Sequence, residues 1–225
     1  MKISVLIDFS NTISTVESEN ESLKIFLEYI RKKYGIQRQI YDEFVNIRHQ
    51  KLIERESNFR TFMDINMEIL RENFRIRLTN DDIEYYYETH CKNLTLREGY
   101  YDFINFLKSR RIPIVMVTDA DFEYTIRTTS ALKILNDFNY IVTAEDVKSP
   151  KPRPDIFIRA LLLAGCPEKV YFIGDSERRD IGGARSIGLE TIRMKDHIDE
   201  GENTLADHEA GNFYDVIDIL KLEIE

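Results

Sequence analysis

The chain has 225 residues, 43% of them hydrophobic and 32% charged, with a formal net charge of -9. That length and balance describe an ordered protein with a sizeable core and exclude an intrinsically disordered one. The acidic surplus disfavours nonspecific nucleic-acid binding, which needs Lys and Arg to displace counterions, and no apolar run reaches membrane-spanning length.

The run Val5-Leu6-Ile7 predicts a strand buried on both faces, as in a parallel sheet covered by helices, and Asp8 follows it directly. In open α/β sheets chemistry gathers at the carboxyl ends of strands, although an Asp there also serves as a turn cap. From residue 18 to about 91 the apolar spacing becomes helical. Leu23, Phe26, Leu27, Ile30 and Tyr34 form one stripe, opened by a Ser18/Glu21 capping box and closed at Gly35. Further helices are predicted over 39–54 and 59–74, and a fourth after the Asn80-Asp81-Asp82 cap signal. No strand signal interrupts this stretch, so it reads as a helical bundle inserted after the first strand.

Beyond Gly99 helices and strands alternate. A helix over 100–110 leads to a buried strand over 112–117 that ends in Thr118-Asp119. A helix over 121–135 precedes a short strand at 140–142, and Pro154 opens a helix that Gly165 ends. The strand at 170–173 runs into Gly174-Asp175, followed by a helix over 178–187, a strand at 191–193, an acidic loop and a terminal helix from Phe213. This alternation is the signature of an α/β fold, a parallel sheet with helices on both faces. Cys91 and Cys166 lie far apart and outside metal-type spacing, and read as reduced core thiols of a cytoplasmic chain. The amino end lacks the apolar region and cleavage site of a signal peptide.

Asp8, Thr118 and Asp175 each follow or end an apolar strand. Lys151 stands just before a helix start, and Asp180 comes five residues after Asp175 near a helix N-terminus. Together they supply a nucleophilic carboxylate, a hydroxyl, an ammonium and two further acids. Three nearby carboxylates repel one another unless a cation joins them, and an oxygen-only ligand set suits Mg²⁺.

The set D-F-S-N-T, V-T-D, K-P-R-P-D-I-F and I-G-D-S-x-x-x-D, in this order, resembles the four motifs of the haloacid dehalogenase (HAD) superfamily. The helical insert after the first motif is similar to that superfamily's C1-type cap. The resemblance implies a Rossmann-like core of residues 1–13 and 96–225 with a mobile helical cap domain of residues 14–95. It further implies an aspartyl intermediate on Asp8 and contacts from Thr118, Asp119 and Lys151 to the transferring group. Mg²⁺ is then held by Asp8, Asp175 and the main-chain carbonyl of Ser10, with Asp180 binding directly or through water. The substrate implied is a small phosphorylated molecule, with neither a nucleic acid nor a membrane as partner; oligomeric state is not set.

One position departs from the phosphatase pattern. Two residues after the nucleophile an Asp usually protonates the leaving oxygen, and here stands Ser10. Such acid–base catalysis is commonly worth roughly 10²–10⁴-fold, and a serine hydroxyl cannot supply it near neutral pH. Ser10 therefore leaves open a 2-haloacid dehalogenase, whose halide needs no proton, and a binding or regulatory protein with little turnover. Against the dehalogenase, Asp175 and Asp180 suit a metal it does not require, and Thr118-Asp119 lacks its expected Ser-Asn pair. A Schiff base at Lys51 is a remoter alternative.

For several residues the structural reading is preferred. Arg153, Arg178 and Arg179 are expected at the surface, and Arg48, Lys51, Arg55 and Arg60 on a solvated helix face. Tyr85, Tyr86, Tyr87, Phe59 and Phe62 are expected in the cap's own core, and His197 and His208 exposed. Lys148 is the rival of Lys151, set aside for the latter's K-P-x-P context. The acidic stretch 196–202 lacks the alternating acids of a Ca²⁺ loop.

Overall fold

The structure, a computed structural model, describes residues 2–195 and 203–224. His197 and the acidic stretch 196–202 lie outside the described residues. Six parallel strands form one sheet in the order β3-β2-β1-β4-β5-β6: β1 Ile3–Ile7, β2 Ile114–Thr118, β3 Tyr140–Thr143, β4 Lys169–Gly174, β5 Glu190–Met194 and β6 His208–Ala210. The central strands are apolar throughout because both faces are covered. Val5, Ile7, Ile114, Met116, Tyr171 and Ile173 enter one buried cluster, while their neighbours Leu6, Val115, Val117, Val170 and Phe172 enter the other. That alternation is the strand period of two, with hydrophobic residues on either side.

Between β1 and β2 the chain makes α1 Val16–Lys33, α2 Tyr41–Glu54, α3 Phe62–Phe74, α4 Asn80–Asn93 and α5 Tyr100–Ser109. The first starts earlier than its sequence signal, at Thr15, whose side chain accepts from the Ser18 N–H. Helices α3 and α4 open on full capping boxes, Thr61 with Asp64 and Thr79 with Asp82. Asp82 is fully buried and also accepts from Tyr34 Oη at 2.7 Å and Lys33 Nζ at 2.6 Å, which ties α4 to the end of α1. These bonds hold its carboxyl far below the usual range, although burial alone would push it up.

The remaining helices are α6 Phe122–Ala131, α7 Ala144–Val147, α8 Pro154–Leu163, α9 Gly183–Arg185 and α10 Phe213–Ile224. Four features correct the sequence reading. The helix expected over 178–187 is a π-type turn, Glu177–Gly182, that runs into the short α9. Strand β6 and helix α7 carry too few apolar residues to be seen in advance. His208, expected exposed, is half-buried in β6 with Nε2 3.2 Å from Glu190 Oε1. Cys166 is exposed rather than in the core, because it turns the chain after α8 with φ of +47°, and Cys91 is half-buried.

The two crossings between the sheet and helices α1–α4 lie side by side. Ser14 and Leu96 form an antiparallel bridge, and Thr15 N–H donates to Thr95 O at 3.0 Å. Arg97, buried beside them, donates to the carbonyls of Asn11 at 2.6 Å and Thr12 at 3.2 Å, and also to Lys195 and Gly211.

Candidate active site

Strand β1 lies between β2 and β4, so its end is flanked by theirs. Asp8 is fixed there by its N–H, which donates to Ile173 O at 2.9 Å. The chain then turns tightly, with Thr12, Ile13 and Ser14 N–H groups converging on Phe9 O and Asn11 in the left-handed region at φ +64°. The turn carries Ser10 past the strand end and returns Thr12, whose Oγ1 lies 3.4 Å from Asp8 Oδ2 and 3.5 Å from Asp175 Oδ1.

Lys151 joins two acids. Its Nζ donates to Asp8 Oδ1 and to Asp180 Oδ1, each at 2.6 Å, and all three side chains are buried. Its own N–H donates to Asp119 Oδ1 at 2.9 Å, which anchors the Lys151 segment to the end of β2. Lys148, the competing lysine, is exposed and 5.3 Å from the Phe59 ring centroid. Thr118 is buried at the end of β2, where its Oγ1 accepts from Ala120 N–H at 3.1 Å.

Asp180 is held by Ser176 N–H at 3.0 Å as well as by Lys151. Gly174, the last residue of β4, makes this possible: a Cβ there would lie 2.5 Å from the Asp180 Cβ and Cγ atoms. Asp8, Asp175 and Asp180 offer one carboxylate oxygen each, all within 4.8 Å of one another.

The electrostatics follow from burial with a single ammonium. Burial pushes the Asp8 carboxyl up to about 7; Lys151 opposes the rise and Asp180 adds to it. Asp175 is raised well above the ordinary carboxylate range, by burial first and then by the charges of Asp180 and Asp8. Asp180 goes the other way, because Lys151 and Arg179 outweigh the cost of burying it. The ammonium of Lys151 is stabilised by Asp180 and Asp8 against its own burial. Negative charge thus exceeds what one lysine neutralises, and the donors are oxygens only. This set fits a hard divalent cation such as Mg²⁺.

Several residues lie elsewhere than the sequence reading put them. Arg179, expected at the surface, stands in the site with Nη1 3.6 Å from Asp119 Oδ2 and Nε 3.3 Å from Ser176 Oγ. The π-type turn brings it there, and adjacency to Asp180 was the only signal. Arg55, expected on a solvated face, is 2% exposed; it donates to Asp119 O at 3.0 Å and lies over Phe62 at 4.4 Å. Phe59 packs against the sheet's second cluster instead of within the helical bundle. Lys51 and Arg60 both pair with Glu68. Arg178 is exposed as expected and reaches Glu56 at 2.6 Å, while Arg153 pairs with Asp155 at 3.4 Å.

A cavity of about 160 Å³ opens beside Ser10 and Asn11, between the strand ends and helices α1–α4. Tyr124 of α6 forms part of its wall and meets Tyr86, His90 and Phe9 edge-on or tilted. Its hydroxyl donates to Glu19 at 2.8 Å, so α6 and α1 are joined across the cavity.

The chain is 27% identical over 119 residues to a phosphoglycolate phosphatase of Shigella boydii, an alignment covering 52% of this chain and 47% of that one. It thus spans about half the length of that curated relative. A magnesium-bound HAD-hydrolase of Bacillus subtilis superposes with a TM-score of 0.79 at 17% identity, over 98% of both chains. A 2-haloacid dehalogenase of Pseudomonas syringae superposes at 0.74 and 17% identity, over 99% of this chain and 100% of that one. These two likenesses establish the fold alone. The haloacid dehalogenase-like hydrolase model matches residues 5–194, from within β1 to the end of β5. Since that span holds all four motifs and the helices between them, the chain belongs to the haloacid dehalogenase-like hydrolase family.

Proposed function

We propose that the chain is a Mg²⁺-dependent phosphatase of small phosphorylated molecules, acting through an aspartyl phosphate on Asp8. The observation that carries this reading is the three-acid cluster of Asp8, Asp175 and Asp180 with Lys151 bonded to two of them. An Asp that attacks a carbon bearing halide needs no such oxygen cluster. The phosphatase name of the Shigella relative and the magnesium in the Bacillus neighbour support the same direction. Ser10 is the feature that favours a dehalogenase instead.

Lys151 donates to Asp8 Oδ1, which opposes the rise that burial imposes and aims the carboxylate, and Oδ2 is the oxygen left to attack phosphorus. The P–O bond to the alcohol breaks, the alkoxide takes a proton from solvent, and Asp8 becomes an acyl phosphate. Water then attacks that phosphorus and releases inorganic phosphate with Asp8 restored. Thr118 and the Lys151 ammonium hold the phosphoryl oxygens, so catalysis comes from positioning and charge stabilisation. A Mg²⁺ ion held by Asp8, Asp175, Asp180 and the Ser10 carbonyl would supply further neutralisation of phosphoryl charge. We assign residues 14–95 as a mobile cap over residues 1–13 and 96–225, supported by its all-helical make-up and adjacent crossings.

A screen of phosphate esters and acyl phosphates beside 2-haloacids, with and without Mg²⁺, tests the assignment. Phosphate release that requires Mg²⁺ and vanishes in Asp8→Asn is expected. Halide release indifferent to Mg²⁺ and lost in Asp8→Asn would hand the chain to the dehalogenases.

A further inference from the structure

We infer that Asp121 and Arg55 are positioning residues that fasten the start of α3 to the loop behind Thr118, and that Asp121 transfers its carboxylate to its own helix α6 when the bundle lifts. This rests on the phosphatase reading, in which Thr118 and Lys151 hold the phosphoryl oxygens.

The observation is a pair of displaced helix caps. Asp121 stands at the N-cap of α6 in extended backbone, at φ −68° and ψ 150°. An Asp there ordinarily accepts from the second or third N–H of the helix it opens. Asp121 makes no such bond. Its oxygens instead accept from the first two N–H groups of α3, Oδ1 from Phe62 at 2.6 Å and Oδ2 from Met63 at 2.8 Å. Helix α3 already has Thr61, whose Oγ1 accepts from Asp64 N–H at 3.0 Å and whose carbonyl accepts from Ile65 N–H at 3.2 Å. All four of its opening donors are therefore satisfied, two of them by a residue from the sheet side. Helix α6 is served by a neighbour in turn, since Phe122 N–H donates to Glu145 Oε2 at 2.9 Å. The N–H groups of Glu123 and Tyr124 find no acceptor among the described residues.

Arg55 closes the same joint from the bundle. Its guanidinium is buried against the rings of Phe59 and Phe62, with centroids 4.9 Å and 4.4 Å away. Nε donates to Arg60 O at 2.5 Å, just before α3, and Nη2 to Asp119 O at 3.0 Å. Asp119 also accepts the Lys151 N–H, so the loop after Thr118 serves the bundle and the phosphoryl-holding groups at once. Seating the bundle therefore fixes where Thr118 and Lys151 stand. Release costs Asp121 little, because the N–H groups of Glu123 and Tyr124 are those an N-cap Asp reaches, and α3 keeps its own box of Thr61 and Asp64. One carboxylate with two helices to serve makes the joint two-state.

Amide hydrogen exchange, read residue by residue by nuclear magnetic resonance in Mg²⁺ buffer, tests this on two variants. Asp121→Asn keeps a good N-cap for α6 but can accept only one of the two α3 donors, since its own N–H₂ repels the other. Exchange at Phe62 and Met63 is expected to quicken about tenfold or more, with the amides of β1 and β4 at wild-type rates. Arg55→Met is expected to quicken the same two amides about threefold or more. Unchanged rates at Phe62 and Met63, or an equal rise in β1 and β4, would overturn the clasp. Asp121→Ala can cap neither helix, so it should unfold at lower urea than Asp121→Asn, and coincident midpoints would remove α6 as the second resting place. Acetyl phosphate kinetics carry the positioning claim, with kcat expected to fall about tenfold or more in Asp121→Asn. Wild-type kcat beside quickened exchange would overturn that claim alone. A wild type that releases no phosphate would sink the phosphatase reading, and the exchange rates would still decide the clasp.

Discussion

Lys151→Met removes the one ammonium that two buried carboxylates share. In the native chain that ammonium lies 2.6 Å from both Asp8 and Asp180, and all three side chains are excluded from water. Without it the two acids face each other with oxygens within 4.8 Å. At an effective dielectric of about 20 their repulsion at that distance is about 3.5 kcal/mol when both are ionised, and proton uptake by Asp8, already raised to about 7 with the lysine present, caps that cost. Breaking a buried pair by removing one partner typically costs about 3–5 kcal/mol, since the survivor keeps its desolvation penalty. We therefore expect Lys151→Met to lose about 3–5 kcal/mol in metal-free buffer at pH 8, read from urea unfolding by circular dichroism. The double variant Lys151→Met/Asp180→Asn should regain about half of this, because one of the two acids that shared the ammonium is then neutral. A loss under about 1 kcal/mol, or a double variant no more stable than Lys151→Met, would refute the reasoning.

Asp82→Ala should cost about 2–4 kcal/mol at pH 7, from a lost capping box and lost bonds to Tyr34 and Lys33. Because the folded carboxyl titrates below its ordinary value of 3.8, the gap between wild type and variant should be full at neutral pH. It should shrink as pH falls below about 4, and a gap independent of pH would contradict the buried ion pair. Ser10→Asp should raise turnover of sugar phosphates by about 10²-fold and of acetyl phosphate far less, since only the alkoxide needs a proton. Equal wild-type rates on both substrates would show that another group already donates it.

The central strands were readable because burial on both faces leaves an unbroken apolar run, and Asp8 and Asp175 stood out because each follows such a run or the glycine that ends it. Lys151 was separable from Lys148 by its flanking prolines, and the structure buries the first and exposes the second. What stayed hidden depends on tertiary neighbours. Strand β6, His-Glu-Ala, has a single buried residue, Ala210, and forms because β5 offers an edge. Arg179 reads as a surface charge until the π-type turn rotates it toward Asp119. Arg55 reads as a solvated helix residue, yet the carbonyls of Arg60 and Asp119 and two aromatic rings receive it in the interior. Thr12 was visible as a letter of the first motif, but only the turn after Asp8 reveals that its hydroxyl faces two acids.

Arg97 has a bearing on the order in which the molecule is built. Its guanidinium joins the carbonyls of Asn11 and Thr12 to those of Lys195 and Gly211, segments that a ribosome makes far apart in time. Strand β1 waits as well, since its neighbour β4 begins only at Lys169. The loop that follows Asp8 is therefore synthesised long before the residues that pin it. An early, partly made chain can fold helices α1–α4, whose contacts are local, but it lacks the partners that hold the turn after Asp8. The turn after Asp8 is thus fully pinned only once Gly211 has been made, near the end of synthesis.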